Sequence, residues 1–298
     1  MPRRPEARSP APRTVAALAR RALREDRTGR DRTTRALLPR ATPAEARVVA
    51  QAPGVLSGIA VARALARAAR VRVVSSRSDG HRLHRNEVVL TLRGDARRIL
   101  ALERTLLNVL MHASGVATAT AAAVRAARGG RRPLEVWATR KTLPGLRDLE
   151  KAAVGHGGGR PHRRDLADGI LVKNNHLTLV PLGDAVRRAR AVAPPGEAVE
   201  VEVRSARAAL LAVRAGADAI LVDNARPARA RRIVRALERA KLRRRVWVEL
   251  SGGITPANVR SYRSVGADAA SLGSLTHSAP ALPLHLTLRP ARLNPRTN

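Results

Sequence analysis

From about residue 135 onward the hydrophobic pattern of the chain changes period at regular intervals. Short β-branched runs, Glu135–Arg140, Gly169–Lys173, Val199–Val203, Ala219–Asp223, Val246–Leu250 and Ala269–Leu272, read as strands. Nearly every one is followed by an Ala- and Arg-rich stretch with helical spacing: Leu146–Val154, Asp184–Val192, Ala206–Ala215, Ala228–Ala240 and Ala257–Val265. Strands alternating with helices at such spacing indicate βαβ units and a parallel sheet. Ala215-Gly-Ala-Asp-Ala219 and Val265-Gly-Ala-Asp-Ala269 repeat one phrase, with the glycine where a helix ends and positive φ is needed. Six units predict a closed or nearly closed α/β barrel, smaller than the usual eight-stranded one.

The first part of the chain has another rhythm. Ala44–Gln51, Val71–Ser75 and Glu87–Leu92 read as strands, with a helix over Ile59–Ala69. A long helix is expected from Ala96 to Ala113, where Ile99, Leu102, Leu106, Leu110 and Ala113 form one apolar stripe, and a separate one over Ala117–Ala127. The alternating segment Leu282–Leu288 reads as an edge strand returning to this lobe. The expected organisation is a disordered basic tail over 1–13, an N-terminal α+β sandwich lobe over 14–115 joined by 277–298, and the α/β barrel over 116–276. No apolar run approaches the length of a membrane span, and the four prolines of the first twelve residues argue against a targeting helix, so the expected location is cytoplasmic.

Charge changes this picture less than its size suggests. The 298 residues carry 57 basic and 23 acidic side chains, a formal charge of +34. A polyanion partner is one reading. However, the arginines are spread along the whole chain, and aromatic residues make up 1%, so the stacking platforms that grip single strands are missing. Nucleic acid is therefore not an expected partner, nor is a membrane. The absence of cysteine excludes disulfides and thiolate metal sites. Only four of the basic residues are lysines, and two of these, Lys141 and Lys173, fall at the ends of expected strands.

Those strand ends hold the candidate chemistry. Arg140, Lys141, Lys173, Glu202, Asp223, Ser251 and Gly273 lie at or just after the C-terminal ends of six successive strands, the rim on which barrel active sites are built. Guanidinium groups suit bidentate binding of carboxylates, and lysine suits phosphate. Glu202 and Asp223 interrupt apolar strands in an acid-poor chain, and hard oxygen ligands there suit Mg2+ on a diphosphate; the alternative is that each caps the helix that follows. Glu200 is placed on the opposite face of its strand and left out of the set. Ser251-Gly-Gly-Ile-Thr-Pro256, with Thr255 placed to cap a helix and Pro256 in its first turn, and Gly273-Ser-Leu-Thr-His-Ser278 are phosphate-loop candidates, although either is equally a plain turn.

Taken in order, Thr139-Arg-Lys-Thr-Leu-Pro-Gly-Leu-Arg147, Gly157-Gly-Gly159, His162-Arg163, Lys173-Asn-Asn-His176, Glu200-Val-Glu-Val203, Leu221-Val-Asp-Asn224, Ser251-Gly-Gly-Ile-Thr255 and Gly273-Ser-Leu-Thr-His-Ser278 resemble quinolinate phosphoribosyltransferase. The likeness extends to Glu25-Asp26, Gly29, Asp31, Glu103-Arg-Thr-Leu-Leu-Asn108 and Ser114-Gly-Val-Ala-Thr118. It implies an N-terminal α+β sandwich lobe with an incomplete, six-stranded α/β barrel, and transfer of phosphoribose from PRPP to quinolinate with loss of CO2, giving nicotinate mononucleotide, by a homodimer or higher even oligomer that uses Mg2+. Arg140, Arg163 and Lys173 would hold the quinolinate carboxylates, with His162 beside them and Arg104 reaching in from a partner copy. Thr139 would line the substrate site and Lys141 would meet PRPP phosphate. Glu202 and Asp223 would act on the ribose hydroxyls and Mg2+, with Lys141, Glu202 and Asp223 as the catalytic group. Ser251, Gly252, Gly253, Gly273, Ser274 and Leu275 would take the 5′-phosphate.

The chain departs from the family's pattern at Pro161, Asp165 and Asn174, which bears on acceptor affinity. Two other readings stand beside it: a same-fold pyrophosphorylase of the molybdenum-associated type, and a basic nucleic-acid-binding protein on a degenerate scaffold.

Overall fold

The computed structural model describes residues 9–129 and 133–291. The fold divides into two compact units, one drawn from Arg8–Thr118, Asp148–Gly157 and Ala279–Asn298, the other from Ala119–Arg147 and Gly158–Ser278. Residues 1–8 of the expected tail lie outside the described residues, and a helix, Pro12–Glu25, begins inside its last two positions. Pro12 opens this helix instead of breaking it, because the first helical turn has no use for the missing N–H and favours the fixed φ.

The first unit contains strands β1 (Pro43–Ala50), β2 (Gly54–Val55), β3 (Arg72–Ser76), β4 (Arg82–Leu83) and β5 (Val88–Asp95). The helix Ile59–Ala68 buries Ile59, Val61, Ala62, Leu65 and Ala66. The two helices expected over 96–127 are one continuous helix, Ala96–Ala127. Ser114-Gly115 read as a break because glycine weakens helices, but Gly115 has a packing role. A Cβ there would lie 2.1 Å from the Pro280 carbonyl oxygen, so only glycine lets the returning chain cross the helix. By length and composition this helix could also span a membrane, contrary to the expectation of no such stretch. Ile99, Leu102, Leu106, Leu107 and Leu110 are instead buried inside the protein, as in the core helix of a folded domain.

In the second unit β6 (Glu135–Trp137), β7 (Ile170–Val172), β8 (Val199–Val203), β9 (Ala219–Asp223), β10 (Trp247–Ser251) and β11 (Ala269–Ser271) form one sheet in the order β6-β11-β10-β9-β8-β7, with every neighbouring pair parallel. The edge strands β6 and β7 do not pair, so the barrel is open between them. Arg160 makes a single parallel bridge to Trp137 on that edge. Helices Leu182–Val192, Ala206–Arg214 and Pro227–Arg239 connect successive strands, and Gly216 and Gly266 adopt φ of 104° and 91° before the strands that follow. The helix expected over Ala257–Val265 is only a 3-10 turn, Val259–Tyr262. Asn258 explains the difference: its side chain accepts from the Thr255 N–H and donates to the Gly253 carbonyl, closing a turn where helix was expected. The expected helix Leu146–Val154 forms as Arg147–His156, but nearly all of it clusters with the first unit. Strand β12 (Leu284–Pro290) then returns to pair antiparallel with β1, completing the order β12-β1-β5-β3.

Candidate active site

A parallel sheet puts the C-terminal ends of all its strands on one side, and the two-residue period selects which side chains point inward. In β8 this period corrects the sequence reading of Glu200. Val199, Val201 and Val203 are buried on one face, so Glu200 and Glu202, two residues apart, share the other. Trp247, Glu249 and Ser251 share a face of β10 in the same way, and Glu249 is only 1% exposed.

Glu202 and Asp223 lie close together, tied by one residue. The Asn174 backbone N–H donates to Glu202 Oε2 at 2.8 Å, and its side-chain Nδ2 donates to Asp223 Oδ2 at 3.3 Å. Arg204 adds bonds from Nε and Nη2 to the same Asp223 oxygen at 3.0 and 2.9 Å. Asn174 thus has a physical use at a position where an acid was expected: its side-chain amide can donate to Asp223, and a third carboxylate could not, while the bond to Glu202 comes from the backbone. Lys173 precedes it, exposed at the end of β7, with its N–H donating to His176 Nδ1 at 3.0 Å. The two carboxylates supply the hard oxygen donors that Mg2+ prefers.

A cationic group faces into the same unit. Arg140 is half-buried, and its Nε is buried without a hydrogen-bond partner. Burial, and next the neighbouring Arg140 charge, make the Arg163 guanidinium less basic than usual; Glu200, Asp168 and Glu249 oppose this. Lys141 is exposed, its N–H donates to Thr139 Oγ1 at 3.0 Å, and its carbonyl accepts from Thr276 Oγ1 at 2.7 Å. A Cβ on Gly273 would come within 3.0 Å of Lys141 Cδ, so this glycine leaves room for the lysine stem. His162, with φ of 54°, places Nε2 3.2 Å from Glu249 Oε1 and stands edge-on to Trp137 at 5.4 Å. Ligand atoms of His162, Glu200 and Glu249 all lie within 4.8 Å of one another. Burial first, then Glu249 beside it, push the Glu200 carboxyl up to about 8.

The two phosphate-loop candidates meet at one hydrogen bond, from Ser274 Oγ to the Ile254 carbonyl at 3.4 Å. Gly252 and Gly253 have φ of 87° and 65°. A Cβ at Gly252 would sit 2.7 Å from the Asn224 N and Cα, so the loop after β10 lies directly on the loop after β9. The helix start expected at Thr255 is absent, while Gly273 precedes the short helix Ser274–His277, in which Leu275 is buried.

Of the expected site residues, Thr139, Arg140, Lys141, His162, Arg163, Lys173, Glu202, Asp223, Ser251, Gly252, Gly253, Gly273, Ser274 and Leu275 belong to the sheet unit. Arg104 belongs to the other unit, exposed on helix Ala96–Ala127. Asp165 is exposed and accepts a bond from Ala167 N–H at 2.9 Å within its own turn, while Pro161 is buried. Sequence reasoning missed Glu200, Glu249 and Arg204, and it read Asn174 only as a departure that bears on acceptor affinity. Strict application of the two-residue period would have found the first two as acids inside otherwise apolar strands.

Two family models match: the quinolinate phosphoribosyl transferase C-terminal domain over residues 116–287 and its N-terminal domain over 31–114. The chain is 42% identical over 273 residues to the probable nicotinate-nucleotide pyrophosphorylase (carboxylating) of Methanothermobacter thermautotrophicus, covering 91% of this chain and 98% of that protein. It is 40% identical over 278 residues to the human nicotinate-nucleotide pyrophosphorylase (carboxylating), covering 93% and 92%. The crystal structure of NadC from Streptococcus pyogenes superposes with a TM-score of 0.86 at 36% identity, covering 95% of this chain and 99% of that one.

Proposed function

This chain belongs to the quinolinate phosphoribosyltransferase family, and on that premise we propose that it transfers phosphoribose from PRPP to quinolinate with loss of CO2, yielding nicotinate mononucleotide and diphosphate. The observation that carries the reading is half-buried Arg140, whose Nε is buried without a hydrogen-bond partner, in the same unit as half-buried Arg163, whose basicity burial and then the Arg140 charge lower. Like charges held together inside a fold suit an anion that neutralises both, and a pyridine dicarboxylate does so.

In this reading Arg140, Arg163 and Lys173 hold the acid, with His162 beside them and Thr139 lining the site. Lys141 and the loops Ser251–Gly253 and Gly273–Leu275 hold the phosphates of PRPP. Loss of diphosphate leaves positive charge at the anomeric carbon, which Glu202 and Asp223 stabilise from fixed positions. The pyridine nitrogen attacks that carbon, and the resulting ring cation stabilises the electron pair left when the 2-carboxylate departs as CO2. Glu202 and Asp223 would also hold Mg2+, which when bound offsets the negative charge of the leaving diphosphate. Fixing both reactants in one cradle supplies much of the rate.

Arg104 would come from a second copy in a homodimer, in keeping with its exposed place on its own helix. A same-fold pyrophosphorylase with another acceptor is the competing reading; the Arg140–Arg163 pair favours a dicarboxylate.

The test is quinolinate- and PRPP-dependent release of 14CO2 in the presence of Mg2+. The parent should turn over, Lys141→Ala and Arg163→Ala should each lose about 100-fold or more, and chelation of Mg2+ should stop the reaction. Equal rates in parent and variants would refute the site. Mixing inactive Arg104→Ala with inactive Lys141→Ala should restore part of the activity if sites are shared between copies. No recovery would remove Arg104 from the partner's site.

A further inference from the structure

Glu249 is the most completely buried acid on the inward face of the barrel strands, at 1% exposure, and the proposed chemistry gives it no part. A carboxylate taken out of water needs a partner. The charged groups around it are His162, Arg163 and Glu200. His162 Nε2 lies 3.2 Å from Glu249 Oε1, an ion-pair distance at which that oxygen accepts no hydrogen bond among the described residues.

The other ring nitrogen of His162 accepts the Arg163 backbone N–H at 2.6 Å. With Nδ1 acting as acceptor, the proton of the neutral ring belongs on Nε2; the contact with Glu249 is one of charge and proximity, not a hydrogen bond. The edge of the ring also meets Trp137. These three contacts hold a non-glycine residue at a φ of 54°, a left-handed conformation that persists only where its surroundings over-determine it. Arg163 is the next residue. Among the described residues its guanidinium has one long hydrogen bond, from Nη1 to the Gly169 carbonyl at 3.5 Å, so the turn from which it springs bears on where it points.

We infer that Glu249 is a positioning residue for acceptor recognition: by holding the His162 ring it fixes the left-handed turn that aims Arg163 at the substrate's carboxylate. It acts through His162 and touches neither substrate. This role rests on quinolinate being the acceptor, and it separates Glu249 from Glu202 and Asp223, which serve the ribose half. Removing its charge should therefore weaken the acid and spare PRPP.

The experiment measures quinolinate and PRPP dissociation constants, KM and kcat for the parent, Glu249→Gln, Arg163→Ala and the double variant. Thermal unfolding monitors the fold, and a second variant, Glu249→Asp, keeps the carboxylate while drawing it away from the His162 ring. Glu249→Gln should raise the quinolinate Kd and KM about tenfold, with PRPP Kd within twofold and kcat within about threefold. In the Arg163→Ala background the same substitution should add less than twofold, because the group it positions is gone. If Glu249→Gln does not fold, Glu249→Asp must show the same selective loss of quinolinate affinity. Full additivity in the double variant, equal loss of both substrates, or unaltered quinolinate binding in the variants would overturn the inference. A parent that binds no quinolinate would overturn the acceptor reading instead, a result that the first measurement alone identifies.

Discussion

Retained lysines in an arginine-rich chain point to chemistry only in part. Of the four, Lys141 and Lys173 stand at strand ends in the candidate site. Lys151 is buried within the helix Arg147–His156, and Lys241 sits at a φ of 56° just after a helix, places explained by folding. Glycine gives a firmer residue-level argument. Gly252 combines a φ of 87° with 2.7 Å of clearance from the Asn224 backbone to a would-be Cβ. Gly252→Ala should therefore cost about 3 kcal/mol of stability, from left-handed strain plus a backbone clash. PRPP binding should weaken more than quinolinate binding, since this loop is assigned to the phosphate. Calorimetric unfolding and equilibrium binding check both, and an unchanged unfolding midpoint would contradict the packing. The site's single-residue surprises, Glu200 and Glu249, were visible as acids in a chain with few, but their inward direction follows only from strand phase. Asn174 stood out only as a departure from the family's pattern: its use depends on carboxylates 28 and 49 residues further along the chain.

Secondary-structure elements were legible where they bury a face of their own. The strands and helices of the βαβ region fall within a few residues of their expected places, because apolar periodicity reports burial and burial is what the sheet supplies. The two misread elements fail for the opposite reason. Gly115 looked like a helix break until Pro280 was seen to cross it, and Ala257–Val265 looked helical until the Asn258 side chain was seen to close a competing turn. Sheet pairing in the first unit carries its own prediction. Glu45 on β1 is opposite Arg93 on β5 and Arg289 on β12, accepting bonds at 2.8 and 2.5 Å. Arg289 first, then Arg93, hold its carboxyl down from 4.5 to about 2. A depressed carboxylate contributes stability that is present above the ordinary value and lost as pH falls through the depressed one. Glu45→Gln should thus be less stable than the parent at neutral pH, and the two stability curves should converge between pH 4.5 and about 2. Denaturant titrations across that range test this, and parallel curves would contradict the bridging role.

At the scale of the whole molecule the formal charge of +34 exceeds anything the proposed site uses. Net charge of that size repels itself in the compact state, and salt screens the repulsion over about 10 Å at 0.1 M. The unfolding midpoint should rise as salt increases from roughly 0.02 to 0.3 M; a midpoint that falls would mean attractive ion pairs, such as Arg243 with Asp268 at 2.9 Å, outweigh the repulsion.

By itself, the sequence determined the period of each segment, the parallel character of the barrel and the set of residues at its strand tips, since these are local properties that repeat along the chain. Tertiary structure alone decided that the helix from Ala96 runs unbroken and that Glu249 meets His162. Each of these depends on a contact between residues distant in the chain, and no local pattern records which distant group will arrive.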